Sequence, residues 1–165
     1  NAFSNNELTQ VIIPNSVTTI GSKAFLNNEL IKVVIGNSVR SIREKAFDTN
    51  QLTQVTIPNS VRKIGDQAFA NNKLTQVIIP NSVTEIGWGA FRNNQLTQLN
   101  LPHSLAIIKN WTFANNQLET VVLGNYLQEI HYAAFFNNNL TEIIIPKPYI
   151  KIYEAFDYDV NIIRQ

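Results

Sequence analysis

The sequence contains no cysteine. No disulfide can staple it and no thiolate can hold a metal, and the absence suits an oxidising and a reducing compartment equally. Charge is scarce as well: 15% of residues are charged, 13 basic against 12 acidic, for a formal net charge of +1. Neither sign clusters along the chain, so the basic stripe of a general phosphate-backbone binder is missing and no nucleic-acid partner is expected. No apolar run approaches the ~20 residues of a membrane-spanning helix, so no membrane insertion by this segment is expected. There is no initiator methionine and no signal peptide. The chain starts inside a repeating unit, at Asn1-Ala2-Phe3, which reads as a fragment or a processed product.

What is present is a beat. Phenylalanine stands at Phe3, Phe25, Phe47, Phe69, Phe91, Phe113 and Phe135, always 22 residues apart, and leucine keeps the same interval from Leu8 to Leu140. A fixed period of this length means one supersecondary unit copied in tandem, each copy too small to close a core alone. Each unit then contacts mainly its neighbours. An apolar content of 44% is that of a globular chain.

Six complete units occupy residues 8–139, with the pattern L-T-x-V-x-I-P-N-S-V-x-x-I-G-x-x-A-F-x-N-N-x. The V-x-I segment is β-branched and alternates, which predicts a short strand with one buried face. Proline follows at Pro14, Pro58, Pro80, Pro102 and Pro146, and Gly36 and Gly124 take its place in two units. Proline has no N–H to give a ladder, so each strand ends there. The remaining apolar positions, Val17, Ile20, Ala24 and Phe25 in the first unit, do not have strand spacing. They predict an irregular return with a single helical turn around the Ala-Phe pair. The rings are expected to stack from unit to unit behind the strands.

The Asn pairs before each leucine mark a turn, because asparagine bonds nearby backbone and tolerates left-handed conformations. One boundary, Thr49-Asn50, keeps only the second asparagine. The second of each pair is therefore expected to point inward and cap backbone groups. The unit-position of Gly21, Gly65 and Gly87 is held elsewhere by Arg43, Lys109 and His131, which predicts that glycine is permitted there rather than required.

A 20–29-residue unit with a leucine-bearing strand is of leucine-rich repeat type. More narrowly, Ile-Pro-Asn-Ser-Val-Thr-x-Ile-Gly-x-x-Ala-Phe over residues 79–91 resembles the BspA-like leucine-rich repeats of bacterial surface and secreted proteins. BspA-like units typically carry cysteine shortly after Ala-Phe and often run one residue longer; here asparagine stands in that place. The resemblance implies an α/β-type repeat solenoid with short parallel strands on a concave face and irregular or short-helical returns on a convex one. It also implies a cell-surface or extracellular location and an adhesion or recognition role rather than an enzymatic one. The partner would be a protein, such as a host or neighbouring-cell surface protein, and no cofactor is expected.

The array is expected to run over 1–146. The pattern degrades over 147–165, where Ala155-Phe156 arrives one residue early. An open solenoid needs a different terminal unit over its last apolar layer, so 147–165 reads as a degenerate last repeat or C-terminal cap.

Strand alternation separates an inward set, Leu8, Val11 and Ile13, from two outward columns. One is Gln10, Lys32, Gln54, Gln76, Gln98, Thr120 and Glu142; the other is Ile12, Val34, Thr56, Ile78, Asn100, Val122 and Ile144. The second is mostly aliphatic yet outward. Contiguous exposed apolar surface marks a contact site; equally, β-branched residues favour strands whatever they face. The columns are candidate partner-binding residues on the expected concave face. A second candidate is an aromatic patch of Trp88, Trp111, Tyr126, His131 and Tyr132. The first three complete units have no Trp, Tyr or His at all, and Trp and Tyr are enriched at interface hot spots.

Catalysis finds no support. His103 and His131 lack metal-ligand spacing and have no recurrent acidic partner. The serines at 16, 38, 60, 82 and 104 recur in five of the six complete units, as turn residues do and nucleophiles do not. Glu85 and Glu129 share a unit position about 10 Å apart by strand spacing and read as solvated. Asn110-Trp111-Thr112 and Asn139-Leu140-Thr141 match the N-glycosylation pattern, a weak signal in an Asn-rich chain. Two roles remain: a recognition module of a bacterial surface or secreted protein, or a structural spacer or self-assembly element within a larger one.

Overall fold

The computed structural model describes all residues, 1–165. The chain winds into a β-solenoid of about seven turns with every strand pair parallel. The first two coils contribute β1 (Gln10–Ile13), β2 (Thr19–Ile20), β3 (Lys32–Ile35) and β4 (Ser41–Ile42). The next two contribute β5 (Gln54–Thr56), β6 (Lys63–Ile64), β7 (Gln76–Ile78) and β8 (Glu85–Ile86). Then follow β9 (Gln98–Asn100), β10 (Ile107–Ile108), β11 (Thr120–Val122) and β12 (Glu129–Ile130). The last coils give β13 (Glu142–Ile145), β14 (Lys151–Ile152) and β15 (Asn161–Arg164). The odd-numbered strands stack as a long-strand face and the even-numbered ones as a short-strand face.

The even-numbered strands correct the expectation of an irregular return. Two residues are too few to display an alternation, so the sequence carried no strand period there. The expected helical turn at Ala-Phe is also absent, and the molecule has no helix. The reason is where the N–H groups go. Phe25 N donates to Ala46 O of the next coil at 2.8 Å, and Phe47 N to Ala68 O at 2.8 Å, so these donors are committed between coils rather than along a helix. Lys23, Lys45, Gln67, Gly89, Trp111, Ala133 and Glu154, just before each Ala-Phe slot, all have φ between +46° and +60°. A left-handed residue in that place stops helix growth.

The core is one cluster of 42 buried residues. Its spine is a continuous stack of eight rings, from Phe3 through Phe135 to Phe156, with centroids 5.3–5.6 Å apart. The early arrival of Phe156 does not interrupt it: the ring lies 5.3 Å from Phe135 at an interplanar angle of 2°. Residues 147–165 continue both faces, β14 pairing with β12 and β15 with β13.

The inward asparagine is the second of each pair, as expected. Asn72 Nδ2 donates to the carbonyls of Phe47, Phe69 and Ala70 at 2.9, 3.3 and 3.0 Å, and its Oδ1 accepts from Leu52 N at 3.1 Å. Asn28, Asn50, Asn94, Asn116 and Asn138 repeat this pattern. The first member of each pair is left-handed and forms an outer amide ladder; Asn93 Nδ2 donates to Asn71 Oδ1 at 2.7 Å. Where Thr49 interrupts the ladder, the Asp48 carboxylate accepts from Asn71 instead, also at 2.7 Å.

The glycine slot is not uniformly permissive. Nothing lies near the position of a Cβ on Gly21, but one on Gly65 would sit 2.6 Å from Glu44 N, and one on Gly87 closer still to Asp66 N. Glycine is required at 65 and 87 because the coil beneath approaches there. That distance belongs to the stacking of coils and leaves no trace in the repeat.

Candidate interaction surfaces

Strand register builds the first surface. Gln10 pairs with Lys32 and Ile12 with Val34; Gln54 with Gln76 and Thr56 with Ile78; Gln98 with Thr120 and Asn100 with Val122. Every residue of both outward columns is exposed, while Val33, Val55, Val77, Leu99 and Ile143 between them are buried. Ile12 is 73%, Ile78 76% and Val122 60% exposed. The strands hold these side chains on a rigid ladder with solvent before them. Two members escaped the sequence reading: Asn161 pairs with Glu142 and Ile163 with Ile144. The short last unit hid them, although Asn161-Ile162-Ile163 alternates as Glu142-Ile143-Ile144 does.

The five aromatic candidates do not form one patch. Trp111 meets Tyr132 edge-on at 5.7 Å and Phe136 at 6.1 Å, and the Arg92 guanidinium lies 4.9 Å over its ring. His131 meets Tyr153 at 5.5 Å. Tyr126 belongs to the turn that follows the long strands, where Lys147 Nζ lies 6.0 Å from its ring and 5.7 Å from that of Tyr149. Trp88 has no aromatic neighbour. Sequence reasoning missed Phe136, Tyr153 and Arg92. Phe136 stands beside the recurrent phenylalanine, and its neighbourhood to Trp111 arises only across coils.

The short-strand face carries a charge ladder. Glu85 lies between Lys63 and Lys109, at 3.1 and 3.0 Å. The hydrogen bond from Lys109, then that from Lys63, holds its carboxyl below the usual glutamate range. Glu129 accepts from His131 Nε2 at 2.9 Å and from Lys151 at 3.4 Å. The His131 bond is the larger cause of its lowered pKa. His131 thus has an acidic partner that the repeat pattern did not point to. Glu85 and Glu129 are each engaged in cross-coil ion pairs rather than merely solvated.

The profile of the BspA type leucine rich repeat region matches in six copies over residues 1–117 and 41–163. No curated protein matches the chain. Among solved structures, a leucine-rich repeat protein from Bacteroides ovatus aligns with 95% of this chain and 51% of its own, at 23% identity and a TM-score of 0.61. One from Eubacterium ventriosum aligns with 94% of this chain and 54% of its own, at 19% identity and a TM-score of 0.55. At these identities the likeness concerns the fold. The chain spans about half the length of each.

Proposed function

The chain belongs to the BspA-type leucine-rich repeat family, and from that premise we propose that it is a non-enzymatic recognition module of a bacterial surface or secreted protein. It engages a protein partner, such as a host or neighbouring-cell surface protein, through the long-strand face, the concave one in the curved form of such solenoids. The observation that supports this reading is the outward column of Ile12, Val34, Ile78, Val122 and Ile144, aliphatic and exposed on an in-register ladder. Apolar side chains pre-ordered on a rigid backbone lose little entropy on binding, and a row flanked by polar residues has the make-up of an interface core and rim. Residues 147–165 serve in this reading as the degenerate unit that covers the last layer of the 1–146 array; the Arg164 guanidinium, bonded to the carbonyls of Pro148 and Ile150 at 3.0 and 3.1 Å, supports it.

The test is retention of the labelled protein on a panel of host and bacterial cells, with Ile78→Lys and Val122→Lys as variants. Loss of retention in both, with unfolding unchanged, is the expected result. Unchanged retention removes the long-strand face as the binding surface. Sedimentation across a concentration range addresses the spacer or self-assembly role: self-association abolished by the same substitutions would favour that role instead.

A further inference from the structure

The left-handed position before each Ala-Phe slot carries Lys23, Lys45, Gln67, Gly89, Trp111, Ala133 and Glu154 in successive coils. Trp111 is the bulkiest side chain there, at φ +60°, a conformation costly for a large residue. Ala133 follows with only a methyl group, and Glu154 comes one coil later. Two coil spacings separate Trp111 from Glu154, about 10 Å between backbones. Trp111, the buried Ala133 and Glu154 line one groove. Tyr132 and Phe136, 48% and 40% exposed, belong to its wall, and Phe156 and Ile162 extend it as a continuous apolar groove.

The charges in this groove are unequal in what they can offer. Glu154 takes part in no ion pair, and the Asp157 carboxylate accepts only the backbone N–H groups of Asn137 and Asn138, at 3.1 and 3.3 Å. Among the lining residues the one cation is Arg164, which points its guanidinium at backbone carbonyls. The cleft thus presents aromatic surface together with two carboxylates against one guanidinium. Within the molecule, Arg92 already shows how a cation uses this surface, its guanidinium lying 4.9 Å over Trp111.

We propose that this cleft is a second docking site, separate from the long-strand face, for an arginine or lysine side chain of a partner polypeptide. The apolar stem of that side chain lies along Trp111 and Tyr132 and its cationic head reaches Glu154. A basic residue suits such a place because its methylenes cover apolar surface while its charge pairs at the rim. An apolar residue next to it in the partner enters the groove towards Phe156 and Ile162.

The experiment uses the whole chain carrying Trp88→Phe, which leaves Trp111 as the sole indole and its fluorescence as the readout. The probes are two short synthetic peptides with identical leucine and phenylalanine content, one carrying arginine and lysine and the other glutamate in their place. The basic peptide is expected to shift Trp111 emission saturably, and the acidic one is not. Glu154→Gln should weaken the basic peptide about two- to fivefold, the range of a single exposed charge pair. Tyr132→Ala should weaken it about tenfold or more, as loss of an aromatic anchor does. Ile78→Lys should leave it unchanged, so failure of this site and failure of the long-strand reading are distinguishable. Equal binding of both peptides, no saturable binding of either, or no effect of Glu154→Gln with Tyr132→Ala in chains of unchanged melting temperature overturns the proposal.

Discussion

Asn72 reaches down one coil and donates to the carbonyl oxygen of Phe47 at 2.9 Å. One buried amide thereby ties the floor of its own turn to that of the turn below, and its Oδ1 takes the N–H of Leu52 as well. Asn72→Ala should leave these groups buried and unpaired, at roughly 1–3 kcal/mol for each unsatisfied group, and cost about 2–5 kcal/mol in all. Asn71→Ala, at an exposed position beside it, should cost under about 1 kcal/mol. Urea denaturation of the two variants decides the matter; equal losses would mean that the inward amide is not special.

The ring stack implies a gradient from end to middle. Phe69 is fully buried between Phe47 and Phe91, whereas Phe3 is 52% exposed. Phe69→Ala should cost about 3–5 kcal/mol. Phe3→Ala should cost well under half of that, since half of the ring already meets water. Similar losses from the two would argue that the rings do not act as layers.

Alanine at the glycine slot should have opposite effects in two coils. Gly21→Ala meets open space at a φ outside the left-handed region and should be neutral or stabilising by about 0.4–1 kcal/mol through the unfolded chain. Gly87→Ala would drive a methyl group into Asp66 N and should destabilise by more than about 1 kcal/mol. Thermal unfolding of both proteins measures the difference, and a common sign for the two shifts would refute the close approach at 87.

Glu85 makes the pH dependence concrete. Its carboxyl is held below the ordinary value of 4.5 by Lys109 first and Lys63 second. A folded-state pKa below the unfolded one means that the contribution is present above about pH 4.5 and is lost as the pH falls through the lower folded value. In an NMR titration Lys109→Ala should raise the Glu85 midpoint more than Lys63→Ala does. The reverse order would mean that the Lys109 bond is not the leading cause. Because both partners are partly exposed, the accompanying stability change should stay under about 1 kcal/mol.

The inward asparagine and the outward columns were legible in the sequence because each coil offers the same residue to the same place. Repetition therefore reports the layers directly: Phe69 must be a ring because Phe47 and Phe91 are. The short strands were not legible, since Ser41–Ile42 and its equivalents are too brief to carry a period. The aromatic residues were visible as departures from the repeat, but their grouping was not. Trp111 meets Arg92, 19 positions earlier, and Tyr132, 21 positions later, and neither interval is the period.

The sequence by itself determined the 22-residue coil, the ring spine, the strand ends at proline and the inward amide, because these follow from requirements that every coil shares. Only the tertiary structure decided which glycines are obligatory, that the returns are short strands and turns rather than helical turns, and that Trp111, Tyr132, Phe136 and Glu154 line one groove. Those depend on how closely one coil lies on the next and on where the inter-coil hydrogen bonds draw the backbone. Distances between coils are a property of the stacked array, and no single unit encodes them.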